Sequence, residues 1–245
     1  MGMTVIGSGP AAIAATRALV KQGHHVTILD VGTCLEAERQ EIVDRMSTQE
    51  PDAWAPTDLE AILGQRLATT EAVHSKLSAA VDVRWGKTAG FNHSLARGGL
   101  SNVWGSSLLP YRQEDITDWP VTVEDLRPHY QAVMDFVPGT FVKDDLEEIL
   151  PSYSTHNHHL APSRQGQALL EDLDSRRLPL REAGIVYGRS RLAIRASGDE
   201  THRECAHCAL CLSGCPYGLI YSSTQTLETL VQSGKVDYLR DHLVE

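Results

Sequence analysis

The chain has no long apolar run. Nowhere do its 245 residues hold the roughly 20 consecutive apolar side chains that a membrane-spanning helix requires. A surplus of positive charge is also missing: Lys and Arg total 22 against 32 for Asp and Glu, a formal net charge of −10. A surface that tracks nucleic-acid phosphates or anionic lipid needs clustered cations, so neither nucleic acid nor a membrane is expected as a partner. The short apolar stretch at residues 3–7 has no basic region before it and no cleavage-type site after it, so it does not read as an export signal; the expected location is cytoplasmic. Cysteine is scarce and unevenly placed. Four of the five cysteines lie within eleven residues, too close for a secreted disulfide framework, and point to a metal centre in a reducing compartment. Cys34 is left over and reads as an idle or buried thiol. At 42% hydrophobic, the chain has enough apolar residues for one large domain or two small ones.

What is present begins at the N-terminus. Met3 to Ile6 is a short apolar run that meets Gly7, Ser8, Gly9, Pro10, Ala11 and Ala12, after which Ala14, Ala15, Ala18 and Leu19 recur at helical spacing. This predicts strand, tight turn and helix. A second apolar run over residues 25–29 ends at Asp30 and Val31, closing a unit of the length a βαβ crossover needs. Gly7 permits the turn, and Gly9 lets the backbone approach a pyrophosphate. Ala12 is small enough for helix to pack on strand, and the helix N-terminus faces the negative phosphates. Asp30 can accept from ribose hydroxyls, and as a carboxylate it repels a 2′-phosphate, which argues against NADP. The segment is expected to bind a dinucleotide through residues 7–12, Asp30 and Val31; FAD and NAD stay open on these residues alone.

Residues 35–80 are polar and helical in period, with Leu59, Ile62, Leu63 and Leu67 late in the stretch, and are expected to form a solvated helical excursion. Residues 92–105 read NHSLARGGLSNVWG. Adjacent Gly98 and Gly99 allow positive φ and close approach of backbone to a planar ligand, and Trp104 supplies a flat apolar wall; the alternative is a loop packed by one Trp. Residues 144–150 and 164–173 are predicted helical, and the alternation over 184–194 predicts a strand pair. His156, His158 and His159 sit in a Ser-, Pro- and Asn-rich stretch with no second pair of ligands, which reads as a solvated loop.

Cys205, Cys208, Cys211 and Cys215, followed by Pro216, have the spacing C-x-x-C-x-x-C-x-x-x-C-P of a bacterial ferredoxin run. Thiolates this close can cap neighbouring corners of a small iron cube. Structural zinc is the alternative, although zinc sites usually divide into two knuckles separated by a longer spacer. An iron–sulfur cluster is expected, either [4Fe–4S] or [3Fe–4S].

Three segments in order, residues 7–32 (GSGPAAIAATRALVKQGHHVTILDVG), 98–105 (GGLSNVWG) and 115–130 (DITDWPVTVEDLRPHY), resemble landmarks of the glucose-methanol-choline oxidoreductases. Within that family they are most similar to pyranose-oxidase-like sugar oxidoreductases and to gluconate and fructose dehydrogenases. The resemblance implies FAD, with Gly98, Gly99, Ser101 and Asn102 beside the isoalloxazine and pyrophosphate. Val103 stands where pyranose oxidases carry the histidine that bonds the flavin, so the FAD is expected to be non-covalent; Trp104 stands where many members have Asn. The implied fold is α/β, a Rossmann-like FAD-binding domain incomplete in this chain, with a helical excursion and an iron–sulfur loop. Its implied regions are 1–136 for FAD binding, 137–200 intervening, 201–223 for the cluster, and 224–245 returning to the FAD domain. Only Met3–Ile6, Val26–Leu29 and Val236–Leu239 read as convincing strands. In the family, the half following the strand at DYLRDHLVE supplies the last strands of the FAD domain, the substrate sheet and the catalytic His, so the catalytic base is expected outside these residues; either a second polypeptide completes the fold, which is the expectation for a native chain, or the chain is a truncated product. The implied activity is that of an FAD- and iron–sulfur-containing dehydrogenase oxidising a sugar or other alcohol, the flavin taking hydride and the cluster passing electrons singly. The alternatives are a non-catalytic electron-transfer or scaffold subunit, and a fragment that binds nothing.

Overall fold

A computed structural model describes residues 2–64, 94–155, 159–196 and 203–244. The described residues form, in chain order, β1 (Met3–Ile6), α1 (Pro10–Lys21), β2 (Val26–Leu29), α2 (Ala37–Ser47), α3 (Pro56–Gly64), α4 (Val123–Met134), α5 (Arg164–Ser175), α6 (Arg177–Glu182), α7 (Ser223–Gln232) and β3 (Val236–Leu239). The fold is mixed α/β, with one small parallel sheet. Among these residues no helix is long and apolar enough to cross a membrane. The chain divides into two compact units, Met1–Gly105 with Cys208–Glu245, and Ser106–His207.

The first unit is organised by the sheet, whose order is β1-β2-β3 with both pairings parallel. β2 is built entirely of Val, Thr, Ile and Leu, and β1 adds only Met3 to the same types, mostly β-branched residues that suit a pleated, half-buried surface. Parallel neighbours cannot be joined by a hairpin; α1 makes the crossover from β1 to β2, and α7 leads into β3. Pro10 sits in the first turn of α1, where its missing N–H costs nothing. The helix stops at Gly23, whose φ of +91° lets its own N–H reach the Val20 carbonyl (3.0 Å) and that of His24 the Leu19 carbonyl (3.1 Å). Ile13, Val26, Ile28, Leu227, Leu230 and Val236 form the core between helices and sheet. Among the described residues β1 pairs only with β2, and Ile6 at its end is 62% exposed.

A second core in this unit corrects one sequence expectation. Residues 35–64, expected as a solvated excursion, bury Met46, Trp54 and Ile62 together with Leu210, and Cys208 and Tyr217 pack against the cluster. The Trp54 indole N–H donates to the Met46 carbonyl (3.0 Å), and the Tyr217 hydroxyl donates to the Gln49 carbonyl (2.9 Å). Arg45 on α2 holds Asp58 on α3 through two hydrogen bonds of 2.9 and 2.7 Å. The excursion is therefore the floor on which the cysteine-bearing loop rests. Leu67 and residues 65–80 of that expectation lie outside the described residues.

In the second unit α4 starts at a capping box, Thr122 accepting from the Asp125 N–H while Asp125 accepts from the Thr122 N–H. The helix expected at 164–173 is α5. The helix expected at 144–150 is only a 3-10 turn, Asp145–Glu148. Its N-cap, Asp144, also receives the Arg189 N–H (2.6 Å) and the buried Arg191 guanidinium (3.0 Å), so tertiary bonds shape the segment. The strand pair expected over 184–194 does not form among the described residues; Leu192 makes isolated bridges to Ser107 and Thr140 instead. His159 is exposed, while His156 and His158 lie outside the described residues.

Candidate functional site

The glycine turn lies in the first unit between β1 and α1. Gly7 has φ +86°, a conformation that favours glycine, and its N–H donates to the Leu29 carbonyl (2.7 Å), holding the turn against the end of β2. Gly9 is the N-cap of α1, with extended backbone. The helix start carries no side-chain cap and no acid in its first turn, so its positive end and first N–H groups are left for an anion. A Cβ added to Gly9 would meet nothing within 4 Å. Open space above an uncapped helix N-terminus suits a diphosphate, and Pro10, Ala11 and Ala12 add no side chain that would obstruct it.

Asp30 directly follows β2 and is 8% exposed. Its Oδ2 accepts from the Ser8 hydroxyl and from the Tyr238 hydroxyl (2.8 Å), the latter 208 residues away in sequence. Its Oδ1 takes no hydrogen bond among the described residues, which leaves one carboxylate oxygen for a donor such as a ribose hydroxyl. Burial, then the bond to Asp30 and its charge, push the Tyr238 phenol well above the ordinary tyrosine range, so it stays protonated and donating. Val31 contributes backbone, its carbonyl accepting from the Asp241 N–H (3.2 Å).

The Gly98–Gly99 pair packs on this turn. Gly98 has φ +86° and Gly99 φ +60°, the Gly98 N–H donates to Ser8 Oγ (2.8 Å), and a Cβ on Gly99 would stand 3.5 Å from Gly9 Cα. Ser101, 4% exposed, donates to the Gly98 carbonyl (2.6 Å) and accepts from the Ser223 N–H (3.0 Å). The hydroxyl of fully buried Ser223 reaches the Ser8 carbonyl (2.8 Å). Asn102 donates to the Arg97 and Gly99 carbonyls (2.9 and 3.0 Å) and accepts from Ser222 (2.7 Å). The Trp104 indole donates to the Tyr221 carbonyl (2.9 Å). The side-chain polar groups of Ser101, Asn102 and Trp104 are thus engaged within the unit, and they work by fixing the backbone of the glycine pair and the start of α7.

Sequence reasoning missed Ser222, Ser223, Thr224 and Tyr238. The Ser-Ser-Thr run before a helical stretch is an N-cap signal, but nothing local says that it meets residue 8. A cavity of about 390 Å³ in the same unit is lined by Thr33, Arg97, Asn102, Cys215, Ser222 and Thr224 among others, a size within the range of small-ligand sites.

Of the cysteine run, Cys208, Cys211 and Cys215 belong to the first unit and Cys205 to the second; all four are part-buried. Cys208 is flanked by two left-handed residues, His207 (φ +52°) and Ala209 (φ +60°), and Gly214 at φ +104° precedes Cys215. Left-handed residues within a turn can aim successive N–H groups into a concavity that favours negative charge, thiolate clusters included. The donor chemistry suits an iron–sulfur cluster. The geometry does not gather it, since among the described residues no three His, Cys, Asp or Glu side chains lie close enough to hold a metal ion. Cys34 is exposed, and its thiol lies 3.8 Å from the Gly32 carbonyl.

Fold and site together define a mixed α/β protein whose parallel strands present a glycine turn and an uncapped helix N-terminus beside a buried carboxylate. Compared with known proteins, the chain matches no family model, and no curated protein matches it significantly.

Proposed function

We propose that the chain is the FAD-binding subunit of a dehydrogenase that oxidises a sugar or other alcohol at a CH–OH carbon. The observation that carries this reading is the meeting, in one compact unit, of the open Gly9 turn, the Gly98–Gly99 turn behind it and the Asp30 carboxylate, whose Oδ1 takes no hydrogen bond among the described residues. Residues 90 positions apart are brought into hydrogen-bond contact there, at Ser8 and Gly98. FAD, when bound, would supply hydride acceptance from a carbinol carbon. The first turn of α1 would hold its diphosphate, Asp30 Oδ1 would accept from its ribose, and the glycine pair would let backbone approach its isoalloxazine edge. Val103 leaves the flavin non-covalent. No residue is assigned as catalytic base.

The ferredoxin-type spacing of Cys205, Cys208, Cys211 and Cys215 supports them as ligands of an iron–sulfur cluster, which would supply one-electron chemistry. Among the described residues the edge of β1 away from β2 is unpaired, which supports a further strand there, and a second polypeptide is the source we propose.

The test is an absorption spectrum of protein purified without oxygen, with iron, sulfide and zinc assayed alongside. Flavin bands over a broad cluster absorption, bleached by a sugar or alcohol, are the expected result. Flavin and iron without bleaching by any CH–OH donor would assign electron transfer instead, and a colourless, zinc-containing protein would overturn the reading.

A further inference from the structure

We infer that Tyr238 is a positioning residue of the nucleotide site, holding the Asp30 carboxylate so that Oδ1 alone is offered to a ribose 2′-hydroxyl. The inference rests on the dinucleotide reading above and adds a residue that the glycine fingerprint does not contain.

Four observations converge on it. First, Asp30 is nearly buried, and among the described residues its two side-chain donors, the Ser8 and Tyr238 hydroxyls, fall on one oxygen, Oδ2. A carboxylate clamped at one oxygen cannot rotate freely, and the oxygen left over has a fixed direction. Second, the neighbouring backbone is shaped to admit the phenol. A Cβ on Gly32, whose φ is +61°, would collide with the Tyr238 hydroxyl, so glycine at 32 is what lets the ring reach Asp30. Third, the ring is itself held. The Arg97 guanidinium lies 5.6 Å from its centroid, a cation–π distance, and Arg97 is tied in turn to Glu228 on α7 at 3.1 Å. Fourth, the register of β2 with β3 pairs Ile28 with Tyr238, two residues before Asp30, so the phenol reaches forward along the sheet to the point where a ligand at the strand ends would lie. The upward push on the phenol keeps it a donor throughout the neutral range.

The experiment measures the Kd of the full chain for ADP and for 2′-deoxy-ADP by titration calorimetry. A hydrogen bond to a charged acceptor implies a preference of the wild-type chain for ADP of about tenfold or more. Tyr238→Phe removes the donor with almost no change of shape and is expected to cut that preference to about threefold or less while leaving the 2′-deoxy-ADP affinity within about twofold. A merely structural role would weaken both nucleotides in parallel and keep the ratio, which would overturn the inference, as would an unchanged ADP preference. Arg97→Gln, which frees the ring without touching Asp30, is expected to lower the ratio less; it decides the matter should Tyr238→Phe not fold. A wild-type chain that binds ADP with no preference over the deoxy form overturns the assignment of Asp30 and Tyr238 alone. One that binds neither nucleotide overturns the dinucleotide reading with it.

Discussion

Gly98→Ala is the sharpest perturbation the site offers, because two separate physical effects fall on one methyl group. The first is backbone conformation. Gly98 sits at φ +86°, and placing a residue with a Cβ in the left-handed region costs about 1–2 kcal/mol. The second is space. The new Cβ would collide with Thr224 Oγ1 and stand 3.0 Å from Asn102 Oδ1 and 3.2 Å from Ser222 Oγ. Relieving that contact moves Thr224 off the Arg97 carbonyl (3.3 Å) and strains the bond from Ser222 to Asn102 (2.7 Å), each worth about 1 kcal/mol. The sum is roughly 3–4 kcal/mol, and with a urea slope of about 2 kcal/mol per molar it lowers the unfolding midpoint by about 1.5–2 M. Adding Thr224→Ala to Gly98→Ala should return the steric part and leave the backbone part, giving a favourable coupling of about 1 kcal/mol in the double-mutant cycle. Urea titration followed by circular dichroism reads all four chains. A Gly98→Ala midpoint within about 0.25 M of wild type would refute the reasoning, since a shift that small corresponds to about 0.5 kcal/mol.

The other perturbations separate binding from stability. Gly9→Ala should leave the ligand-free chain within about 0.5 kcal/mol of wild type, because its backbone is extended and its Cβ meets nothing, yet it should abolish FAD uptake measured by flavin fluorescence; unchanged uptake would disconnect the turn from the ligand. Trp54→Phe removes the indole donor from the Met46 carbonyl, which keeps the Gln49 N–H (3.2 Å), and with the lost ring volume should cost about 1–2 kcal/mol. Iron per chain should fall more than flavin per chain, since Cys208 and Leu210 share that core. Arg191→Ala should cost about 3–5 kcal/mol in urea titration, because it strips a buried cation from Asp144 and Glu147. The hydrogen bonds from Arg45 hold the Asp58 carboxyl below its ordinary value. Its contribution is therefore complete above about pH 4, where the unfolded carboxyl is ionised, and is lost as pH falls through the lower folded value. The stability gap between wild type and Asp58→Asn should be widest at neutral pH and close in acid; a gap independent of pH would show that the ion pair does not carry it.

What could be read without coordinates was local. The strands at Met3–Ile6, Val26–Leu29 and Val236–Leu239 stand where the apolar runs put them, the helix begins at Pro10, and Gly7 adopts the left-handed turn that its neighbours demand. Each of these follows from side-chain spacing or backbone sterics within a few residues. The readings that failed share a different cause. Residues 35–64 look solvated because their outward side chains are charged, and only the packed structure reveals Met46, Trp54 and Ile62 facing the cysteine loop. Alternation over 184–194 promises strands, but a strand needs a partner, and the described residues offer Leu192 only isolated bridges.

The site divides along the same line. The residue types of a dinucleotide turn, the acid at position 30 and the thiolate spacing are properties of the sequence itself, since glycine conformational freedom and ligand chemistry do not depend on the rest of the chain. That Asp30 shares one oxygen between Ser8 and Tyr238, that Ser223 bonds the Ser8 carbonyl across 215 positions, and that Ser101 and Asn102 are turned inward were decided by the tertiary structure alone. Hydrogen bonds over such separations form only when the parallel sheet and its two helices bring the strand ends together, and no pattern within a short window of sequence encodes that meeting.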